Sequence, residues 1–211
     1  MEETNKIRDA EDTKQRILAV AEKLFAQKGF AGTTIRKISE KSGCSGPLIL
    51  FHFRNKKELY RRVKENIMSR YEKNYLPRFA SFPEDPGIIA EMASGLFTFY
   101  RDNPNMIRLS NWSLLEGDQE PWSGERDVHH LYYSEIARAQ EKGILRNDIS
   151  PASLMAILCG AIHIWWEYHD HMKEITENEG VPPVKDKEFL EQFIAFASQG
   201  LAPISKETEK S

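Results

Sequence analysis

The sequence predicts an all-α protein of about nine helices. Apolar residues recur at three- and four-residue spacing in nearly every segment, the period of one helix face. No sustained period-two run of β-branched residues bounded by tight turns occurs. Pro86, Pro104 and Pro151 each follow Asp, Asn or Ser, the pattern of an N-cap with proline in the first helical turn.

The first helix is expected over 12–28. Ile17, Ala21, Leu24 and Phe25 form its stripe, Asp12 with Gln15 its capping pair, and Gly29 its stop. Two short helices follow, over 34–41 and 45–52. Ser42-Gly43 turns the corner between them, because glycine tolerates the left-handed backbone a tight turn needs. Ser45 caps the second, and Pro47 fits its first turn. Asn55 and Glu58 open a longer helix over 55–76 with the stripe Leu59, Val63, Ile67. Further helices are expected over 86–102, 104–116, 124–142, 151–177 and 186–200. The polar ENEGVPPVK loop separates the last two. Ser205–Ser211 reads as a frayed tail.

Charge divides the chain. The first 64 residues carry 15 Lys+Arg against 8 Asp+Glu, a balance of +7, and the remainder carries 14 against 24, or -10, within the overall -3. A basic end on an acidic protein suits a polyanion partner, and a solvated face gives the same signal. Two distant cysteines, Cys44 and Cys159, make no disulfide framework, so a reducing, cytoplasmic location is expected. The opening MEETNKIRDAEDTK has no apolar stretch of the kind a signal peptide needs. The most apolar run, Ile149 to Trp166, contains Ser150, Pro151, Ser153 and His163 and falls short of the roughly 20 residues that span a bilayer, so no membrane association is expected.

Catalytic motifs are missing: there is no G-x-S-x-G, no phosphate-cradling glycine loop and no H-E-x-x-H. No enzyme activity and no cofactor are expected. His163 and His171 lie roughly two helical turns apart and no i, i+4 histidine pair exists, so no metal is expected either.

The run TTIRKISEKSGCSGPLILFHF, from Thr33 to Phe53, is two short helices about a glycine turn. Such a pair can lay its second helix in a DNA major groove, or serve as a plain structural corner. The wider stretch Ile17–Leu59, ILAVAEKLFAQKGFAGTTIRKISEKSGCSGPLILFHFRNKKEL, resembles the N-terminal domain of the TetR family of bacterial repressors. Carrying the likeness are LFAQKGF, the TT pair, I-x-x-I-x-E-K-S-G, a serine opening the recognition helix, H-F closing it, and N-K-x-E-L opening the fourth helix.

The resemblance implies a helix-turn-helix domain over 10–70, a ligand-binding and dimerisation domain over 71–204, and a palindromic operator bound by a homodimer. It implies phosphate contacts from Thr33, Thr34, Arg36, His52 and Lys56, and base-edge contacts from Ser45, Gly46, Leu48 and Ile49. The sequence departs from the family where Lys or Arg usually follows the serine and where a tyrosine meets phosphate: those positions hold Gly46 and Leu50. No side chain from Gly46 to Phe51 is charged or polar. Direct readout then falls to thymine methyls, Ser45 and DNA shape, with modest, strongly salt-dependent affinity. A second reading follows from the same gap: a TetR-like ligand-binding or interaction protein with weak or lost DNA binding.

The helix from Pro151 is apolar almost all round, with Leu154, Met155, Ile157, Leu158, Ile162, Ile164, Trp165 and Trp166, and so needs burial on two sides. With the last helix (Phe189, Phe193, Phe196) it is the expected dimer contact, through 151–177 and 186–200. The middle segments are rich in large side chains, Phe79 and Phe82 among them, which serve as core or line a pocket for a small apolar or aromatic effector. The pocket candidates are Phe97, Tyr100, Trp112, Cys159, His163 and Trp166.

Overall fold

The structure, a computed structural model, describes residues 2–79, 82–118 and 120–203, and the side chains of these from position 9 onward except 78 and 79. The expected tail at 205–211 and the side chain of Phe79 lie outside the described residues. All the regular structure among the described residues is helical: α1 (Glu2–Lys28), α2 (Ile35–Ser42), α3 (Gly46–Phe53), α4 (Lys56–Asn74), a 3-10 turn (Leu76–Phe79), α5 (Gly87–Asp102), α6 (Pro104–Leu115), α7 (Glu125–Glu141), α8 (Pro151–Asn178) and α9 (Asp186–Gly200).

Most boundaries follow from local chemistry. The Ser45 hydroxyl accepts from Leu48 N and caps α3, and the Ser150 hydroxyl accepts from Ser153 N and caps α8. Asn55 Oδ1 accepts from Glu58 N at 2.8 Å where α4 starts. α1 corrects one expectation. It begins at Glu2, so Asp12 lies inside the helix, and Gln15 donates instead to Glu11 Oε1 at 2.8 Å. The stretch before Asp12 holds no proline or glycine and is rich in helix-favouring residues, so nothing stops the helix there. Asn103 is a second correction. It makes no side-chain cap to α6, and its Oδ1 instead accepts from Arg70 Nε at 2.9 Å.

Contacts divide the chain into two compact units. Unit 1 comprises 1–70 and 103–125, and unit 2 comprises 71–102 and 126–211. The expected C-terminal domain over 71–204 is therefore interrupted, because α6 and the segment after it pack with the N-terminal helices. Unit 1 buries Ile17, Ala21 and Phe25 of α1 with Ile38, Ile49, Phe53, Leu59, Val63 and Leu109. Gly29 shows why α6 belongs there. Its φ of +69° suits glycine, and a Cβ would come within 2.8 Å of the Trp112 ring on α6. In unit 2, α5 packs on α8 and α9. Its core holds Ile88, Ile89 and Met92 with Ile136, Leu158, Ile162 and Phe193.

Candidate nucleic-acid interface and ligand cluster

α2 and α3 form the helix-turn-helix, with Gly43 at φ +69° in the corner. Thr34 caps α2, its hydroxyl accepting from Lys37 N. Thr33 is a correction. It is fully buried, and its hydroxyl donates to Leu24 O at 3.1 Å and Gly29 O at 2.8 Å, so it ties α1 to the loop and offers nothing to a phosphate. Arg36 is out in solvent, its side chain 89% exposed beside Glu40 at 2.9 Å.

The recognition helix α3 divides its candidates. Ser45 and Leu48 are exposed, and Gly46 and His52 are partly so. Ile49 is 0% exposed and is a correction: it faces the unit core and reaches no base edge. Lys56 is half-buried, donating to Phe30 O at 2.9 Å and Thr33 O at 3.0 Å with its ammonium 4.1 Å from the centre of the Phe30 ring. Its first duty is to hold the loop before α2. Sequence reasoning missed the exposed Leu50, Phe51 and Arg54. Leu50 and Phe51 sit in the same apolar run as Ile49, which composition cannot sort into inward and outward faces. Arg54 takes the uncommon φ of 58° where α3 turns into α4.

The end of α6 clamps this unit. Glu116 accepts the backbone N–H of Phe30 at 2.9 Å and of Ala31 at 3.0 Å, and Trp112 Nε1 donates to Ala26 O at 3.2 Å. Trp112 is thus a correction to the pocket candidates: it docks on α1 in unit 1. Buried Lys64 donates to Asp118 at 2.9 Å, and Tyr60 shares a hydrogen bond with Ser113 at 3.0 Å. Burial pushes the Tyr60 phenol above its usual pKa. A cavity of about 190 Å3 lies among these groups, walled by Phe30, Tyr60, Lys64 and Glu116.

The other five pocket candidates all lie on α5 and α8 of unit 2. Phe97 and Trp166 have ring centres 4.8 Å apart, and Tyr100 meets His163 edge-on at 5.7 Å. His163 Nε2 lies 3.3 Å from Glu167 Oε2. Burial pushes the Cys159 thiol up to about 12. Tyr71 and Tyr132 share a buried hydrogen bond at 2.9 Å, and desolvation lifts both phenols well above the usual tyrosine range. Sequence reasoning missed this pair because the two residues are 61 positions apart. Trp166 Nε1 and His169 Nδ1 are buried and have no hydrogen-bond partner. Among the described residues no three His, Cys, Asp or Glu gather into a metal-holding group, and no helix is long and apolar enough to cross a membrane.

α8 buries Leu154, Leu158, Ile162 and Trp165, and leaves Ile157, Ile164, Tyr168 and Ile175 exposed along another face. On α9, Phe193 is buried and Phe196 stands 74% exposed.

Over residues 17–63 the chain matches the family described as bacterial regulatory proteins, tetR family. Over 89–193 it matches the tetracyclin repressor-like C-terminal domain. The HTH-type transcriptional repressor SCO4008 of Streptomyces coelicolor is 32% identical over 176 residues, covering 82% of this chain and 88% of its own. The chain belongs to the TetR family. As a TetR-family protein it is a DNA-binding transcriptional regulator. The family repressor AcnR of Corynebacterium efficiens is 27% identical over 142 residues, 65% of this chain and 71% of its own. The TetR fold recurs in two solved structures. The regulator SCO4942 of Streptomyces coelicolor superposes with a TM-score of 0.74 at 21% identity, covering 91% of this chain and 99% of that one. AibR, solved with isovaleryl coenzyme A and operator DNA, superposes with a TM-score of 0.69 at 13% identity, covering 91% and 100%.

Proposed function

We propose that this regulator is a ligand-responsive repressor, acting in the cytoplasm as a homodimer on a palindromic operator, with no catalytic role. The observation that carries the reading is the apolar stripe Ile157, Ile164, Tyr168, Ile175 on α8, with Phe196 on α9. Monomeric soluble proteins rarely keep such a contiguous patch in water, and a second copy of the same two helices would bury it. A two-fold dimer presents two α3 helices, matched to half-sites roughly 34–36 Å apart. Phosphate contacts in this reading come from Thr34, at the N-terminus of α2, and from Arg36 and His52, with base contacts beginning at Ser45.

The effector in this reading is a small apolar or aromatic molecule held by Phe97, Tyr100, Cys159, His163 and Trp166. The lone Trp166 Nε1–H supports it, since a buried donor without an acceptor is costly unless a ligand supplies one. AibR, a protein of this fold, is solved with both a coenzyme A ester and its operator.

The test pairs sedimentation with a gel shift on the DNA upstream of the protein's own gene. A dimer at micromolar concentration that shifts this fragment at low salt supports the repressor. The exposed apolar face of α3 favours a second reading, a ligand-binding or interaction protein with weak DNA binding. A dimer that shifts no promoter fragment at low salt selects it.

A further inference from the structure

The three central outward residues of α3 are Pro47, Leu48 and Phe51. Successive residues turn by about 100° on a helix. Ile49 and Phe53, 0% and 1% exposed, point into the unit. Phe51, 81% exposed, stands opposite them, with Pro47 and Leu48 on either side and Leu50 at the flank, 42% exposed. Leu48, Leu50 and Phe51 together make an exposed apolar patch, the kind of surface that marks an interaction site. Here it occupies the centre of the face that a helix-turn-helix turns toward DNA. The surroundings suit a polyanion: Arg36 and Arg54 are exposed in the same unit, and the first 64 residues carry the chain's basic excess.

We infer that this helix reads its operator through thymine methyl groups, with Leu48, Leu50 and Phe51 as the specificity-determining residues. This rests on the repressor reading above and goes beyond it by naming what is read. Every base pair shows hydrogen-bonding groups in the major groove, but only thymine adds an apolar one, the C5 methyl. A face without Arg, Lys, Asn or Gln gains nothing from guanine O6 and N7 or adenine N6 and N7. Covering polar edge atoms with a leucine or phenylalanine costs much the same at A·T and G·C pairs, so the methyl that only thymine adds decides the preference. Covering a methyl removes apolar surface from water on both sides. Ser45, the N-cap of α3, is the hydrogen-bonding side chain at the N-terminal end of this face and fixes one edge of the half-site. The operator core facing α3 is therefore T-rich on one strand or the other.

The experiment uses the full-length protein and a duplex it selects from a random library at low salt. Each thymine in the half-site is replaced in turn by deoxyuridine, which removes the methyl and changes no hydrogen-bonding group. Loss of about fourfold in affinity at each of two or more positions is expected, the worth of one buried methyl. In the variants Leu48→Ala and Phe51→Ala, the thymine-to-uracil ratio should fall toward one at the positions each side chain covers. Circular dichroism checks that both variants fold, which their exposure favours. Specific binding with a ratio of one at every position overturns the inference and leaves the repressor intact. So do alanine variants that weaken thymine and uracil duplexes equally. Selection of no duplex at all overturns the repressor reading itself, so the two failures are separable.

Discussion

Ile49 and Phe51 are two residues apart on α3 and meet opposite surroundings. Ile49→Ala empties a fully buried site and should cost about 2–5 kcal/mol in urea unfolding. Phe51→Ala removes an exposed ring and should stay within about 0.5 kcal/mol. Both are apolar residues of one run, and the family resemblance places Ile49 among the base readers. Only the packing of α3 decided which of the two faces outward. Glu22 is another residue whose role is tertiary. It is buried on α1, where Arg70 Nη1 donates to it at 3.1 Å and Asn105 Nδ2 at 3.1 Å. Glu22→Ala strands both donors. A fully buried pair loses more, but Arg70 is about one-third exposed, so roughly 2 kcal/mol is expected, read by the same unfolding curve. Cys159 makes a pH statement. Its folded pKa of about 12 lies above the ordinary thiol value of 9.0 because burial disfavours the thiolate. The stability gained by keeping the thiol neutral is complete below pH 9.0 and is lost as pH rises toward about 12. At pH 8 its alkylation by iodoacetamide should run about a thousandfold slower than that of a free thiol, timed by mass spectrometry.

Among the elements, α6 best shows the difference between existence and allegiance. Asn103-Pro104 marks its start in the sequence, where proline sits in the first helical turn. Which unit it joins depends on Gly29, whose missing side chain admits Trp112, and on Glu116, which gathers two loop N–H groups 85 and 86 positions away. Aromatic content made Trp112 look like a pocket wall, because an indole that docks on a backbone carbonyl and one that meets a ligand read alike in sequence. Glu116→Ala should cost about 1–2 kcal/mol, since hydrogen bonds to a charged acceptor are stronger than neutral ones and water replaces only part of them. Gly29→Ala should cost more, because it adds both a left-handed strain and a clash with the indole. Thermal melts of the two variants give that order.

For the whole molecule, charge and apolar surface carry the predictions. The basic excess in the first 64 residues should make operator binding fall steeply with salt. Each phosphate neutralised by a Lys or Arg adds about −0.9 to the log–log slope, so the Arg36 pair of a dimer alone implies roughly −2 or steeper, measured by fluorescence anisotropy, and a flat titration would contradict it. The α8 stripe should respond to one charge. Ile164→Glu places a carboxylate in what the dimer would bury, so sedimentation should show monomer at concentrations where the unaltered chain is dimeric, with helix content unchanged.

The helix-turn-helix was legible in the sequence because its signals are local. Ser45 and Asn55 cap helices a few residues away, Gly43 turns a corner between neighbours, and stripes such as Ile17, Ala21, Leu24 and Phe25 repeat within one helix. Those interactions reach three or four residues along the chain, so order and spacing suffice to write them. The burial of Thr33 and Ile49, the docking of Trp112 on α1, the Tyr71–Tyr132 hydrogen bond and the outward aim of Phe51 were decided by the tertiary structure alone. Each depends on which surfaces meet across tens of residues. Side-chain type records that a residue can be buried, and only packing records against what.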